Sequence, residues 1–302
     1  MLTLNNYNFR LTFCTGIAMA GLLVPAHLFA GTDSKETQVV QPVNQSAITG
    51  DLGVNFVSQH VSRGKINENQ GVIAQPYADL YLPLYEGSGA INKIALDLGL
   101  WSSLTSRHTG ATPDSTVKPW NEFDYLPGVS VTFVKNLIFT ASYYEFDSPN
   151  GAFDPSRNLN ISLDYNDANV LGAFALHPHL TYLKELSGKA NNGPANKKGD
   201  YYEVGVAPGL PAFGPVIVSF PVTAGFGSAG FYAGDENSEF GYLSAGPNVV
   251  VSLPFVPARL GRWTANLGAY YYYLHGSLST ANAIRPSNNN DWVFNGGVGM
   301  TF

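Results

Sequence analysis

The feature that most constrains this chain is a two-residue alternation of polarity, and it is clearest at the C-terminus. Between Trp292 and Phe302 one face of the pattern is apolar and the other is small or polar. The two faces are Phe294, Val298, Met300 and Phe302 against Asn295, Gly297, Gly299 and Thr301. Because successive side chains of a strand point to opposite faces, this pattern predicts a strand that separates lipid from water.

The composition favours a membrane barrel over a soluble domain or a helical membrane protein. Charged residues make up 13% of the chain, against about 25% in a typical soluble domain. Beyond the N-terminus there is no apolar run of about 18 residues, the length that a membrane-spanning helix requires. Barrel strands need no such run, because their lipid-facing residues alternate with polar ones.

The N-terminal residues 1–30 read as an export signal. Arg10 precedes an apolar stretch that runs toward Phe29, and Ala30 offers a small residue at the cleavage position before Gly31. A short membrane anchor is the alternative. Removal of this segment would also remove Cys14, the only cysteine, so the mature chain is expected to have no disulfide. Its acidic balance argues against a nucleic-acid partner.

After a polar periplasmic tether at residues 31–47, we expect residues 48–302 to form an all-β, antiparallel transmembrane β-barrel of about 12 strands. The clearest strands are about Thr49–Val61, about Val72–Tyr85, Ile94–Leu100 and Phe123–Phe133. Connections alternate between long and short, as between Ser103–Pro119 and Lys135-Asn136. An even strand number with the N- and C-termini periplasmic would put the long connections outside a bacterial outer membrane.

Prolines and tryptophans qualify this prediction. Since proline removes a ladder donor, we expect the prolines within strand-like segments to lie at strand ends or bulges. They are Pro76, Pro127, Pro178, Pro208, Pro221 and Pro247. Tryptophans favour membrane interfaces. The alternation places Trp263 and Trp292 on the lipid face but Trp101 and Trp120 toward the lumen, unless a bulge resets the phase.

The inner face of the predicted wall collects charged side chains and histidines. These candidate lumen or pore-lining residues are Asp79, Lys93, Asp97, Glu122, Asp124, Asp164, His177, His179 and Glu203. Carboxylates along a pore would favour cations. The alternative is that polar pairs fill a narrow interior, as in many small barrels.

Two histidine motifs raise other functions. His60 and Ser62 continue the lipid-facing register of the first strand, where a His–Ser pair could hydrolyse lipid, although no third residue to orient the histidine is apparent. His177 and His179 share a predicted strand face and could bind a metal. Polar residues at the rim and on the wall explain both motifs more simply, so we expect no catalytic residue, no metal and no cofactor.

Several short motifs are spread along the mature chain. They are Val61-Ser62-Arg63-Gly64 with Gln75-Pro76, Pro178-His179-Leu180-Thr181-Tyr182, Tyr201-Tyr202-Glu203-Val204-Gly205 with Pro208-Gly209, and Phe240-Gly241-Tyr242. In these motifs the chain resembles the TorF-like porins of Gram-negative bacteria. The family usually has an aromatic residue where His60 or Ser62 stands, so the first motif departs from its pattern. The resemblance implies a barrel and a pore, with no catalytic residue to carry over.

The function predicted from the sequence is passive diffusion of small polar solutes through an outer-membrane porin. The alternatives are a lipid-modifying barrel enzyme and a plugged barrel that is structural or adhesive. Expected partners are outer-membrane lipid, lipopolysaccharide and small polar solutes. The aromatic terminal residue, Phe302, is typical of the strand that barrel proteins present to their assembly machinery.

Overall fold

The structure, a computed structural model, describes residues 48–107, 118–187, 198–232, 239–275, 278 and 290–302. The strands are β1 (Thr49–Val57), β2 (His60–Ser62), β3 (Lys65–Glu68), β4 (Ile73–Glu86), β5 (Ile91–Thr105), β6 (Trp120–Phe133), β7 (Leu137–Asp147), β8 (Ser156–Tyr165), β9 (His179–Ser187), β10 (Asp200–Val206), β11 (Val216–Ser219), β12 (Val222–Gly227), β13 (Glu239–Ala245), β14 (Asn248–Ser252), β15 (Arg262–Leu274) and β16 (Asn290–Thr301).

Helical structure in the described residues comprises α1 (Ala168–Leu171), the 3-10 turns Gly172–Phe174 and Ala258–Leu260, and the single described position 278. No helix in this part of the chain has the length and hydropathy to cross a membrane. The predicted export signal (1–30) and tether (31–47) lie outside the described residues.

The strands form a closed antiparallel barrel. It closes where β1 pairs with β16, with Leu52 opposite Met300, and β16 in turn pairs with β15. β11 and β12 share one position in the wall because Phe220-Pro221 interrupts them, and β13 and β14 share another because Gly246-Pro247 does. The fourteen strands of the sheet therefore occupy twelve wall positions, which confirms the predicted fold.

Side chains of the wall alternate between the inside and the outside of the barrel. In β1, Asp51 and Asn55 are buried, whereas Leu52 and Phe56 are exposed on the outer surface. Strands all round the barrel repeat this separation, so the exterior is apolar, whereas the buried polar and charged side chains of the wall face the interior. A closed ladder also leaves no unpaired edge, which is the condition for crossing lipid with strands.

The two ends of the barrel differ in their connections. The first described residues and the C-terminal Phe302 lie at one end of the barrel, here called the terminal end, where Phe302 exchanges backbone hydrogen bonds with Gly50. The opposite end is the loop end. On one side of the barrel the predicted alternation holds, since the terminal-end connections 87–90 and 134–136 are short. On the other side they are long, and 166–178 exceeds the loop-end connection 148–155.

Prolines mark interruptions of the wall. Four of the six prolines that were expected within strand-like segments lie outside the strands, because they cannot donate to a ladder: Pro178, Pro208, Pro221 and Pro247. Pro76 and Pro127 instead lie within β4 and β6, and the pairing with β5 and β7, respectively, is interrupted there. The missing backbone N–H of each proline therefore interrupts the pairing locally, and the strand continues on both sides.

Three of the four tryptophans lie on the outer surface, and one prediction about them is wrong. Trp101 is buried inside the barrel, whereas Trp263 and Trp292 are on the outside. Trp120 was expected inside, but a bulge between Ser103 and Leu104 resets the register. Trp120 therefore pairs with exposed Leu104 and faces outward.

Candidate functional site in the barrel interior

The connection after β1 folds into the barrel instead of extending the wall. β1 ends at Val57, four residues before the predicted end at Val61. Ser58 then exchanges two hydrogen bonds with Phe294 of β16, one through its backbone N–H (2.8 Å) and one through its Oγ (2.9 Å). Gln59 Nε2 donates to the Trp292 carbonyl at 3.1 Å. From there the chain enters the interior.

β2 and β3 form a small sheet of their own, here called the hairpin (His60–Glu68). The hairpin is paired with itself and not with the wall. His60, Val61, Ile66 and Glu68 are all buried. Both faces of the hairpin are therefore covered by the surrounding barrel.

The tip of the hairpin, Arg63-Gly64, is a tight turn pressed against the interior of the barrel. Both residues have a positive φ, 50° and 82°. A Cβ on Gly64 would lie 2.5 Å from Leu278 and 2.7 Å from Tyr242, so only glycine fits. The Arg63 guanidinium lies 5.0 Å from the ring centre of Phe146, within cation–π range. Tyr232 Oη donates to the Arg63 carbonyl at 3.2 Å.

An apolar layer surrounds the hairpin and reaches every side of the barrel. Its buried side chains come from the hairpin, from strands β5, β6, β7, β9, β10, β13, β15 and β16, and from residues 231, 232 and 278. They are Val61, Ile66, Trp101, Leu126, Tyr144, Phe146, Leu183, Tyr201, Phe231, Tyr232, Tyr242, Tyr270, Tyr272, Leu274, Leu278 and Val293. Together with the hairpin, this layer narrows the barrel interior.

The structure overturns the lipid-facing position expected for His60 and Ser62. His60 is fully buried, with its ring centre 5.2 Å from that of Trp101. Ser62 Oγ accepts a hydrogen bond from Arg63 Nη1 at 3.1 Å. The alternation could not reveal this, because the period of two continues through His60-Val61-Ser62 while the chain leaves the wall.

Most of the candidate lumen residues lie on the inner face of the wall, but one does not. Buried there are Asp79, Asp97, Glu122, Asp124 and Glu203, and half-buried with the same orientation are Lys93, Asp164 and His179. His177 was expected beside His179. It lies instead in the connection before β9, with Nδ1 3.9 Å from Oδ1 of Asp167. The two imidazoles therefore do not share a strand face, which removes the basis of the metal pair.

Glu203 is the centre of a buried polar cluster. Its Oε2 accepts hydrogen bonds from Tyr242 Oη, at 2.9 Å, and from Tyr201 Oη. The two hydroxyl oxygens lie 2.8 Å apart. On the other side, His179 Nε2 lies 3.5 Å from Oε1 of Glu203. Two buried tyrosines therefore hold this carboxylate inside the barrel.

Several interior charges escaped the sequence analysis. Asp51 lies directly opposite Asp79 and accepts a hydrogen bond from Tyr81 at 2.9 Å, and its place in the β1 alternation could have revealed it. Glu185 is buried on β9 and accepts the Gly199 N–H at 2.7 Å. No sequence signal placed Arg63 and Lys65 inside, because they belong to the hairpin.

The hairpin brings its two cations toward interior carboxylates. Glu122 lies within electrostatic range of both Arg63 and Lys65. Desolvation lowers the pKa of the Lys65 ammonium, while the carboxylates of Glu122 and Glu185 act in the opposite direction. No group of three or more His, Cys, Asp or Glu side chains in the described part of the chain could hold a metal ion.

These features define the class of the molecule. A closed antiparallel barrel with an apolar exterior and a polar interior is a transmembrane barrel of the bacterial outer membrane. No protein-family model matches the sequence, and a search of curated proteins found no match.

Solved structures with a similar fold are outer-membrane barrels. The NanC porin is 8% identical over 83% of this chain and 98% of that one, with a TM-score of 0.44. The translocator domain of the autotransporter NalP from Neisseria meningitidis is 12% identical over 86% of this chain and 89% of that one, with a TM-score of 0.40. Salmonella typhi OmpF, in a complex with daunomycin, is 10% identical over 84% of this chain and 97% of that one, with a TM-score of 0.37. Similarity at this level carries no argument about activity.

Proposed function

We propose that the protein is a narrow, porin-like channel for small polar solutes, with a preference for cations. The observation that carries this proposal is the excess of carboxylates in the interior. Eight are buried within the barrel: Asp51, Glu68, Asp79, Asp97, Glu122, Asp124, Glu185 and Glu203. No described lysine or arginine reaches the same burial, and the hairpin supplies only Arg63 and Lys65. A net negative interior raises the local concentration of cations.

The hairpin is the element that would set the width of this channel. It is paired with itself and enters the interior from the loop end, so its removal leaves the ladder of the wall complete. In the proposed orientation the termini are periplasmic and the hairpin entrance faces outward. The proposed channel agrees with the pore that the resemblance to TorF-like porins implies, and it assigns no catalytic role to the chain.

A plugged structural barrel is the second candidate, and the apolar layer favours it. Side chains from all round the wall meet the hairpin in this layer, which opposes the passage of hydrated ions. The two candidates differ in one measurable property, the conductance of the folded barrel.

Planar-bilayer recording of the refolded chain tests the proposal. The parent is expected to give small channel steps and, in a KCl gradient, a reversal potential of the sign for cation preference. A variant with His60–Glu68 replaced by a glycine linker should give larger steps. A variant with glycine linker residues in place of Gly87–Ala90, at the terminal end, is the control and should conduct like the parent. If the parent folds as a barrel and does not conduct, the plugged barrel is correct.

A further inference from the structure

An unusual apolar surface lies at the terminal end of the barrel. Three connections that follow one another round the rim, after β8, β10 and β14, project bulky apolar side chains. We call residues 168–176, 207–215 and 253–260 the apolar crescent. Phe174, Phe213 and Phe255 are 83%, 64% and 79% exposed. The crescent contains no Asp, Glu or Lys, and its one charged residue is Arg259.

Hydrogen bonds hold the crescent in a defined shape. The carboxylate of Asp167 accepts the backbone N–H groups of Leu176, at 3.0 Å, and of His177, at 2.9 Å. The Ala207 N–H donates to the Leu176 carbonyl at 2.7 Å, which joins the first connection to the second. The Ser252 N–H donates to the Pro215 carbonyl at 2.8 Å, which joins the second connection to the base of the third connection. The exposed phenylalanines are therefore presented by an ordered rim.

The wall behind the crescent is interrupted. β10 has 7 residues. β11 and β12 have 4 and 6 residues and share one wall position, with a break between them at Phe220-Pro221. On the opposite side β4, β5 and β6 are continuous over 14, 15 and 14 residues. The crescent lies at the terminal end of the interrupted strands, and it continues the outer surface of exposed Leu180, Val204 and Phe220.

Cationic and aromatic side chains border the crescent where lipid headgroups would lie. Arg259 is exposed in the last connection, and Arg262 begins β15 beside it. Trp263 Nε1 donates to the Leu260 carbonyl at 2.9 Å, which fixes an indole at the same level. Indole rings and basic side chains are the residues that prefer this boundary.

We propose that the apolar crescent is a lipid-binding surface that enters the bilayer leaflet at the terminal end, with Arg259 and Arg262 binding the phosphates of anionic phospholipids. In the proposed orientation this is the periplasmic leaflet. The crescent extends the lipid-facing surface on the side where the strands of the wall are interrupted. The surface is independent of whether the barrel conducts.

The test uses single-cysteine probes in the full chain with Cys14→Ser. Phe174→Cys, Phe213→Cys and Phe255→Cys are labelled with an environment-sensitive fluorophore, and Ser88→Cys, exposed in a short connection of the same rim, is the matched control. In vesicles of phosphatidylethanolamine and phosphatidylglycerol, nitroxide-labelled lipid should quench the three crescent probes, and aqueous iodide should quench the control. Iodide quenching of the crescent probes, or their cross-linking between two copies, would overturn the proposal.

The phosphate contact has its own measurement. Arg259→Ala with Arg262→Ala should lower the preference of the protein for phosphatidylglycerol over phosphatidylcholine several-fold, as measured by mass spectrometry of co-purified lipid. Lys135→Gln, at an exposed site in another terminal-end connection, should leave this preference unchanged. An unchanged preference in the double arginine variant would refute the headgroup assignment.

Discussion

The imidazole of His60 lies inside the barrel, with Nδ1 3.6 Å from Oε2 of Glu122 on β6. His60 is fully buried and Glu122 nearly so. This contact joins the hairpin to a second part of the wall, four strands round the barrel from its attachment at β16. A residue that the alternation assigned to lipid is thus part of the connection that fixes the hairpin in the interior.

The first prediction concerns this contact. His60→Ala removes a buried partner of Glu122, and an unsatisfied buried group costs roughly 1–3 kcal/mol. The free energy of unfolding, measured by urea titration in lipid vesicles, should fall by that amount. In a double-mutant cycle with Glu122→Gln the two effects should couple by at least about 0.5 kcal/mol. Additive effects would show that the two side chains do not interact.

The sequence was sufficient for the wall and insufficient for the hairpin, for a physical reason. Alternation in β4 or β5 reports which side of the chain faces lipid, and this is the same whether the partner strand is known or not. The alternation of polarity does not change where the chain leaves the wall after Val57. His60-Val61-Ser62 therefore looks like a continuation of the first strand. The change is decided by long-range contacts, such as Arg63 with Phe146 and Tyr232, that no local pattern encodes.

The charged and histidine residues likewise divide into those whose position the sequence could predict and those whose position it could not. Asp79, Asp97 and Asp124 could be placed inward because each alternates with lipid-facing neighbours on a long strand. His177 could not, because a strand that begins at His179 and one that begins two residues earlier give the same pattern. Asp167, which fixes the turn before His179 by accepting two backbone N–H groups, has no sequence signature of that role.

A glycine beneath a tyrosine ring provides the second prediction. A Cβ on Gly225 would lie 2.2 Å from Tyr242 and 2.9 Å from the Tyr201 hydroxyl, so Gly225→Ala displaces the two tyrosines that hold Glu203. Overpacking of this kind costs about 1–3 kcal/mol, which the same urea titration would detect. Gly89→Ala is the control, because its Cβ meets nothing within 4 Å. Equal stability of both variants would contradict the packing.

The third prediction is a pH dependence at the crescent. Desolvation raises the pKa of Asp167, but the N–H groups of Leu176 and His177 outweigh it and hold this pKa below its usual value. A depressed pKa stabilises the fold above the unfolded value of about 3.9 and ceases to do so as the pH falls through the folded pKa. Asp167→Asn should therefore be less stable than the parent near neutral pH, and the difference should shrink in acid. A difference in unfolding midpoint that stays constant from neutral pH into acid would contradict this role.

The fourth prediction concerns lipid chemistry. The Ser62 hydroxyl accepts a hydrogen bond from the Arg63 side chain, and His60 is buried against Glu122 and Trp101. Neither residue therefore faces the bilayer. The refolded protein is expected to release no fatty acid from phospholipid or lipopolysaccharide, as followed by mass spectrometry, and Ser62→Ala should behave identically. Hydrolysis by the parent that Ser62→Ala abolishes would restore the enzyme hypothesis.

The last prediction separates an interior that selects ions from one that is merely polar. Asp79→Asn with Asp97→Asn removes two buried negative charges at almost constant volume, so the preference for K⁺ over Cl⁻ should fall on the order of twofold or more. The exposed carboxylate of Glu86, at the rim, provides the control Glu86→Gln, which should change the preference for K⁺ little.

Screening by salt adds a second criterion to this prediction, since the Debye length shrinks from about 10 Å at 0.1 M salt to about 3 Å at 1 M. Interior charges that line the path of the ion are screened less than rim charges, so the effect of the double variant should persist at 1 M salt. If reversal potentials in a KCl gradient are the same for parent and double variant at both concentrations, these carboxylates serve only to pack the barrel.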